Sequence, residues 1–180
     1  MSVISRIEGL FILETRKFHD ERGLFFESFN QQKFEETIGE KVTFVQDNIS
    51  VSKKNVLRGL HFQSPPHAQG KLVSVVSGSV LDVAVDLRKG SPTYGQHESV
   101  LLSAENGLQF WIPAGFAHGF LALEENTVFS YKCTDFYHPG SEQSLQWNDP
   151  ELNIDWGINN PIISMKDADN ELFSIFVSPF

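Results

Sequence analysis

The sequence predicts an all-β fold, a sandwich or jelly-roll barrel with a few short peripheral helices, as a single domain over residues 1–180. Three observations support this class. Short segments of alternating polar and apolar residues are numerous, turn signals separate them at short intervals, and helical periodicity is scarce. With 41% hydrophobic residues and 16 Phe, a chain of 180 residues is long enough to bury a substantial core, and no repeat, low-complexity tract or linker divides it.

The central segment KLVSVVSGSVLDVAVDL gives the clearest strand signal. Two alternating runs flank Ser77-Gly78, which predicts a β-hairpin at this point. The second run places its residues on two faces, Leu81, Val83, Val85 and Leu87 on one and Asp82 and Asp86 on the other. Two further turns are predicted at Asn106-Gly107 and at 124–126.

Two short helices are predicted at the periphery of the strands. Asn30 is a suitable N-cap for a helix in which Phe34 and Ile38 share one face and Gly39 ends the last turn. Near the C-terminus the segment SMKD, residues 164–167, has the form of a capping box and predicts a second helix.

Composition and charge exclude several classes of function. The 14 Lys and Arg against 23 Asp and Glu give a net charge of −9, which disfavours a protein that coats nucleic acid or an anionic membrane. A small anionic ligand still requires only a few well-placed cations. The segment MSVISRIEGL lacks the features of a signal peptide and no apolar run is long enough to span a membrane, so we expect a cytoplasmic protein. Cys133 is the only cysteine, which excludes an internal disulfide.

One histidine motif stands out. The segment GLQFWIPAGFAH, residues 107–118, ends in His118 and resembles the second conserved motif of the cupin superfamily. The first cupin motif begins with a glycine followed by a His-x-His pair. Here the corresponding stretch begins at Gly59 and keeps His61, but has Gln63 where the second histidine would stand.

This departure predicts a site without a metal ion. A catalytic metal usually requires three protein ligands, and His61 and His118 supply two. Gln63, Glu98 or His67 is the residue that would have to complete a metal site. A metal-dependent cupin dioxygenase is therefore disfavoured.

From Phe18 to about Asp169 the chain resembles the dTDP-4-dehydrorhamnose 3,5-epimerase family. The resemblance rests on the segments HDERGLFFE, FVQDN, NVLRGLHFQ, AQGKLV, DVAVDLRKGSPTYG, WIPAGFAHGF, YKCTDFYHPGSE and WNDPELNIDW. It implies a jelly-roll fold, a homodimer, no cofactor, and a dTDP-4-keto-6-deoxy sugar substrate on the route to dTDP-L-rhamnose.

The reaction of this family defines the side chains that we expect in the site. A ketone at C4 acidifies the hydrogens on C3 and C5, so inversion requires a base, a stabiliser of the enolate oxygen and an acid on the opposite ring face. His61 suits the base because imidazole titrates near neutrality. The resemblance implies that Asp167 orients His61, that Tyr131 is the acid, and that Lys71 faces the enolate oxygen.

The resemblance also implies a set of substrate contacts. In this set Arg58 and Lys166 hold the diphosphate or sugar, Tyr137 stacks on the thymine ring, and Arg22 reaches across from the dimer partner. The full set is Arg22, Glu27, Gln46, Asp47, Asn48, Arg58, Lys71, His118, Tyr137, Glu142 and Lys166.

Strict alternation along VLRGLHFQ would put Arg58 and His61 on opposite faces of a strand, although the resemblance requires both in one cavity. A bulge at Gly59 would shift the alternation by one residue. We therefore predict an irregularity between Arg58 and His61.

Structural roles compete with several of these assignments. Asp167 could instead be the acid of the Ser164 capping box. His61 and Tyr131 could pack inward as core residues, and Lys71 could be a solvated lysine at a strand edge.

Two alternative functions remain open. One is an epimerase that inverts only C3 or only C5, since small displacements of Tyr131 could leave one centre unprotonated. Ser74 and His97, which stand where the family has Arg and Trp, keep this alternative open. The other is a sugar-nucleotide-binding cupin without activity, which the presence of both a base and an acid disfavours.

Overall fold

The computed structural model describes residues 2–180, with side chains from residue 5 onward, and these residues form mainly antiparallel β-strands. The strands are β1 (Ser2–Ile4), β2 (Phe11–Glu14), β3 (Lys17–Asp20), β4 (Gly23–Phe26), β5 (Gln46–Ser52), β6 (Leu57–Gln63), β7 (Lys71–Ser77), β8 (Ser79–Asp86), β9 (His97–Ser103), β10 (Leu108–Ile112), β11 (Phe116–Ala122), β12 (Thr127–Cys133) and β13 (Glu142–Ser144). Helix α1 spans Gln31–Ile38, and a 3₁₀ turn spans Pro139–Ser141.

The strands form two large sheets that pack face to face. One sheet has six strands in the order β1-β2-β10-β7-β12-β5, and the other has five in the order β13-β6-β11-β8-β9. Strands β3 and β4 form a separate two-stranded arm. The structure thus confirms the predicted all-β sandwich of jelly-roll type.

The predicted hairpin at Ser77-Gly78 is wrong. The strands that flank Gly78 belong to different sheets, because β7 pairs with β10 and β12 whereas β8 pairs with β9 and β11. Gly78 has φ +79°, and a Cβ atom there would lie 2.5 Å from Oγ1 of Thr127, so the turn needs glycine for both reasons. The predicted turns at 106–107 and 124–126 also carry the chain from one sheet to the other. A turn signal predicts a reversal of direction but does not specify which strand will be the hydrogen-bonded neighbour.

The two predicted faces of β8 are confirmed. Val80 and Ala84 pack between the sheets, in a buried cluster with Val73, Phe110 and Phe129. The opposite face of β8 packs beneath the C-terminal segment, in a second cluster that holds Val83, Val85, Leu87, Leu145, Trp147, Trp156 and Phe173. The five-stranded sheet is therefore covered on both sides, which explains why β11 is buried along its whole length.

One of the two predicted helices is present. The side chain of Asn30 accepts a hydrogen bond from the backbone N–H of Lys33 at 3.1 Å, and Gly39 ends α1 with φ +79°. The helix predicted at Ser164 is wrong. The capping-box contact does form, with the N–H of Asp167 donating to Oγ of Ser164 at 3.2 Å, but the segment continues as a turn instead of a helix. No helix among residues 2–180 is both long and apolar enough to cross a membrane.

The predicted irregularity in β6 is confirmed. His118 of β11 pairs with His61, whereas Phe120, two residues further on, pairs with Arg58, three residues back. The register therefore shifts by one residue, and Gly59 lies within the shift with φ +139°. This shift allows Arg58 and His61 to point to the same side of the sheet.

We expect Gly59→Ala to destabilise the protein. The new methyl group would lie 2.5 Å from Cα of Gly119, and an L side chain rarely adopts φ +139°. Backbone strain and this clash together should lower the free energy of unfolding by about 2 kcal/mol or more, or about 4–8 °C in Tm. Thermal and urea denaturation measure the change.

Gly140→Ala is the matched control, because a Cβ atom at Gly140 meets no atom within 4 Å. Equal Tm values for the two variants would contradict the requirement for glycine at position 59.

Candidate active site

A cavity of about 470 Å³ lies between the sheets, at the end where the inward-facing side chains change from apolar to polar. Its polar lining comes from both sheets and from the C-terminal segment: Ser50, Arg58, His61, Lys71, His118, Tyr131, Ser164, Lys166 and Asp167. Phe120 and Phe129, whose rings stack with centroids 4.1 Å apart, form part of the apolar wall. A concave site with an apolar wall and convergent polar groups is typical of a small-molecule site.

His61 and Asp167 form a partly buried pair in this cavity. Nε2 of His61 lies 2.5 Å from Oδ1 of Asp167, and the two side chains are 28% and 4% exposed. Oδ2 of Asp167 accepts a hydrogen bond from Oγ of Ser164 at 2.9 Å. Asp167 thus contacts both His61 and Ser164, one through each carboxylate oxygen, although it binds the Ser164 hydroxyl instead of the backbone N–H that the acid of a capping box accepts from.

The pKa of Asp167 lies below its ordinary value. Burial opposes ionisation, but the hydrogen bond and the charge of His61, together with the hydrogen bond from Ser164, outweigh it. An ionised carboxylate at Nε2 fixes the orientation of the imidazole and leaves Nδ1 as the ring nitrogen that can accept a proton.

Tyr131 faces the cavity from the opposite sheet to His61. It lies on β12 of the six-stranded sheet, His61 lies on β6 of the five-stranded sheet, and both line the same cavity. Burial is the main cause that raises the pKa of Tyr131, with a further contribution from Cys133. The phenol therefore keeps its proton at neutral pH and can donate it.

Lys71 opens β7 and lies at the cavity between the two sheets. Burial lowers the pKa of its ammonium group, while the negative charge of Asp82 acts in the opposite direction. Asp82 lies 2.9 Å from Nε2 of His118, and burial raises the pKa of Asp82. The sequence interpretation did not assign Asp82 to the site. The available signal was an acidic residue between Val80 and Ala84 on the face of β8 that packs between the sheets.

A smaller compartment of about 110 Å³ adjoins the cavity and shares His61, Lys71 and Tyr131 with it. Its remaining lining includes four predicted contacts, Gln46, Asn48, Tyr137 and Glu142, and three residues that the sequence interpretation missed, Gln63, Gln69 and Cys133. All three lie within segments that carry the family resemblance, NVLRGLHFQ, AQGKLV and YKCTDFYHPGSE, but they were not assigned a substrate contact.

Hydrogen bonds organise the rim of this smaller compartment. Oε2 of Glu142 accepts from the Tyr137 hydroxyl at 2.5 Å and lies 2.6 Å from Nζ of Lys166. Oε1 of Gln46 accepts from the backbone N–H of Tyr137 at 2.9 Å. Burial opposes ionisation of Glu142, but the bonds from Lys166 and Tyr137 lower its pKa overall. Glu142 thus joins the exposed tyrosine to the lysine next to Asp167.

Three predicted contact residues lie away from both compartments. Asp47 lies between Gln46 and Asn48 on β5, so its side chain points to the face of the sheet opposite the smaller compartment. There it pairs with Lys132 at 2.9 Å. Glu27 pairs with Lys33 at 2.8 Å. Arg22 lies at the turn of the β3–β4 arm, 90% exposed, and pairs with Asp20. Within this chain the structure therefore does not bring Arg22, Glu27 or Asp47 to the cavity.

Ser74 and His97, the two departures from the family pattern, do not line either compartment. Ser74 lies on β7, where Oγ donates to the backbone oxygen of Ser130 at 3.4 Å. His97 opens β9 at the edge of the five-stranded sheet.

The two motif histidines lie opposite each other on β6 and β11, but each is paired with its own carboxylate. Within residues 5–180 the cavity does not bring three metal-ligating side chains together. Gln63 is buried and bonds to loop backbone, donating to the carbonyl oxygen of His67 at 2.7 Å.

Comparisons with known proteins place this geometry in a family. Residues 5–174 match a sequence profile described as dTDP-4-dehydrorhamnose 3,5-epimerase. A Salmonella typhimurium protein with that name is 61% identical over 163 residues, 90% of this chain and 89% of its own length. The Legionella pneumophila epimerase RmlC, crystallised with dTDP-4-keto-L-rhamnose, is 52% identical with TM-score 0.94, over 98% of this chain and 94% of that one. A 3′-monoepimerase, ChmJ from Streptomyces bikiniensis, is 34% identical with TM-score 0.89, over 94% of this chain and 86% of that one.

We expect Asp167→Asn to weaken the fold in a pH-dependent way. Loss of a charged, buried hydrogen-bond partner should lower the free energy of unfolding at pH 7 by about 1–3 kcal/mol. Because the folded pKa of Asp167 is lowered, its stabilisation is complete above the unfolded value of about 3.9 and is lost as the pH falls through the folded value. Urea denaturation of the wild type and the variant measures the difference in the free energy of unfolding at pH 7 and at pH 3.

Asp169→Asn, a change at an exposed carboxylate two residues away, is the control and should have little effect at either pH. A deficit for Asp167→Asn that stays constant between pH 7 and pH 3 would contradict this electrostatic origin.

Proposed function

The chain belongs to the dTDP-4-dehydrorhamnose 3,5-epimerase family, and we propose that it inverts C3 and C5 of dTDP-4-dehydro-6-deoxy-D-glucose with His61 as base and Tyr131 as acid. The product is dTDP-4-dehydro-L-rhamnose. One observation carries the assignment of roles: His61 and Tyr131 extend into the same cavity from opposite sheets. A sugar ring between them would have the base on one face and the acid on the other.

The reaction at each carbon needs no change in oxidation state. Nδ1 of His61 takes the proton next to the C4 ketone, and the electron pair moves to the carbonyl oxygen as the enolate forms. The enolate then collapses and takes a proton on the opposite ring face from the hydroxyl of Tyr131, which inverts the centre. The Tyr131 phenolate regains a proton and His61 releases one before the next cycle.

Charge on the enolate oxygen is stabilised by Lys71. Its ammonium group is held in a partly desolvated position, where attraction to a developing negative charge is stronger than in water. His118 lines the same cavity from β11 and is oriented by Asp82. Asp167 acts through His61, because it fixes the imidazole and stabilises its protonated form after proton transfer.

The smaller compartment and its rim are suited to the nucleotide. Tyr137 is half exposed at this rim and offers a ring face to the thymine base. Lys166 and Arg58 line the larger cavity and supply cations for the diphosphate or sugar. Lys166 pairs with Glu142 in this structure. An incoming diphosphate would therefore either displace the Glu142 carboxylate from Lys166 or share the lysine with it.

Inversion of both centres is favoured over inversion of one. The 3,5-epimerases compared above share 61% and 52% of their aligned residues with this chain, against 34% for the 3′-monoepimerase. Ser74 and His97, which kept the single-centre alternative open, lie outside both compartments.

We also propose that the protein acts as a homodimer, to which the β3–β4 arm contributes Arg22 across the interface. Arg22 is exposed and remote from the cavity of its own chain. The arm exposes apolar side chains that a second copy would cover, among them Phe18 at 49% and Phe25 at 72% exposure. Glu27 follows β4 directly and would move with the arm.

We further propose that the chain is a single domain and that it acts in the cytoplasm. Both sheets contribute to one buried cluster and one cavity, which supports a single cupin domain over residues 1–180. A lone free thiol, Cys133, is compatible with the reducing cytoplasm, where we place the reaction.

Deuterium exchange tests the proposed chemistry directly. Incubation with dTDP-4-keto-6-deoxyglucose in heavy water should label both C3 and C5, as observed by NMR. His61→Asn should abolish exchange at both carbons, whereas Tyr131→Phe should reduce inversion more than it reduces proton removal. We expect the rate of epimerisation to fall by about 10²-fold or more in each variant.

Tyr94→Phe is the matched control for the tyrosine, since Tyr94 packs against Phe173 outside the cavity. Label at only one carbon would indicate the single-centre reaction. No exchange with the wild-type protein would indicate a binding protein, and equal exchange in wild type and His61→Asn would remove His61 from the mechanism.

Complementation tests the role of Arg22 in the dimer. Arg22→Ala and His61→Asn should each lower activity at substrate concentrations below KM. When the two variants are co-expressed, a mixed dimer holds one site with an intact His61 and an intact Arg22 from its partner. Random pairing should therefore restore about a quarter of the wild-type activity. No restoration, although sedimentation detects mixed dimers, would show that Arg22 does not act across the interface.

A further inference from the structure

Two histidines that the proposed reaction does not use lie together with an aspartate at the rim of the smaller compartment. His67 lies on the loop between β6 and β7, and Asp135 and His138 lie on the loop after β12. We propose that His67, Asp135 and His138 form a binding site for a divalent transition-metal ion such as Zn²⁺, separate from the catalytic cavity. The site does not depend on the proposed function.

The geometry of the cluster fits a metal ion better than a simple ion pair. One ligating atom from each of the three residues lies within 4.8 Å of the others. Nδ1 of His67 is 3.3 Å from Oδ2 of Asp135, which is longer than the usual charge-assisted hydrogen bond of about 2.7–2.9 Å. Two ligands at about 2.0–2.1 Å from a tetrahedral ion are themselves about 3.3 Å apart. This pair therefore already has the separation of two zinc ligands.

The third ligand lies close to this pair, but its ring is not oriented for a shared ion. The imidazole rings of His67 and His138 lie nearly parallel, with centroids 3.4 Å apart and an angle of 15° between their planes. Every pair of ligand atoms is within 4.8 Å, so binding of an ion requires the His138 side chain to rotate until its ring nitrogen points at the ion. A water molecule would occupy the fourth position.

Two side-chain amides, those of Gln63 and Gln69, hold the two loops in place around the cluster. The side chain of Gln63 donates to the carbonyl oxygen of Phe136 at 3.1 Å and accepts from the N–H of His138 at 2.6 Å, in addition to its bond to His67. Gln69 donates to the carbonyl oxygen of Asp135 at 2.7 Å. The backbone of each ligand residue is therefore fixed by a neighbouring side chain, as in preorganised metal sites.

The carboxylate of Asp135 is oriented in the same way. Its Oδ1 accepts a hydrogen bond from the N–H of Phe136 at 2.8 Å, which leaves Oδ2 directed at His67. Two imidazoles and one carboxylate form a donor set that selects Zn²⁺, Co²⁺, Ni²⁺ or Cu²⁺ over Mg²⁺ and Ca²⁺, which prefer oxygen ligands. A bound ion would join the two loops beside Tyr137 and reinforce that rim.

Calorimetric titration of chelator-treated protein with ZnCl₂ tests the site. We expect one saturable equivalent with a Kd on the order of 10 µM or tighter, and a Tm increase on the order of 5 °C at saturating ion. His67→Asn and His138→Asn should each weaken binding by about tenfold or more, and the double variant should remove it. MgCl₂ at the same concentration should have no effect.

Two control variants separate this site from other histidines. His19→Asn, at an exposed histidine of the arm, should bind zinc as the wild type does. His61→Asn should also bind normally, since His61 belongs to the cavity. Thermal melts without metal show whether each variant is folded. The proposal is overturned if the wild type shows no saturable binding, if the folded double variant still binds, or if His61→Asn alone removes the binding.

Discussion

The hydrogen bond between His61 and Asp167 is the interaction on which the rest of the site depends. It joins a central strand of the five-stranded sheet to the C-terminal segment, two parts of the chain that are 106 residues apart. Two local features make it possible. The register shift at Gly59 turns His61 toward the cavity, and the turn at Ser164 holds the second oxygen of Asp167. The imidazole that we propose as the base is therefore oriented by the same contacts that join the C-terminal segment to the five-stranded sheet.

Burial disfavours the charged form of each ionisable group around the cavity. The hydrogen bonds and charges of its partners decide whether that effect of burial prevails. Asp167 keeps a lowered pKa because His61 and Ser164 compensate for burial, whereas burial dominates for Asp82, Tyr131 and Lys71. The result is a neutral phenol on one sheet facing an imidazole with an ionised partner on the other. That asymmetry between the two faces is what an inversion at carbon requires.

The local interpretation of the sequence succeeded where one segment contains its own constraint. The cap and the terminating glycine of α1 and the alternation of β8 depend on neighbouring residues. The irregularity at Gly59 was predicted because the family resemblance requires Arg58 and His61 in one cavity. The local interpretation was wrong where a partner is distant in sequence. The turn at Gly78 joins two sheets instead of forming a hairpin, and the C-terminal segment remains a turn, with Asp167 bonded to His61 instead of opening a helix.

The sequence by itself determined the strand-rich class, the polar and apolar faces and, through its motifs, the family and most of the polar residues that line the cavity. Only the tertiary structure decided which sheet each strand joins, that Asp82 supports His118, and that Asp47, Glu27 and Arg22 lie away from the cavity of their own chain. It also brought His67, Asp135 and His138 together. The physical reason is that alternation and turn chemistry act between near neighbours, whereas a site is formed by side chains whose proximity depends on how the sheets pack.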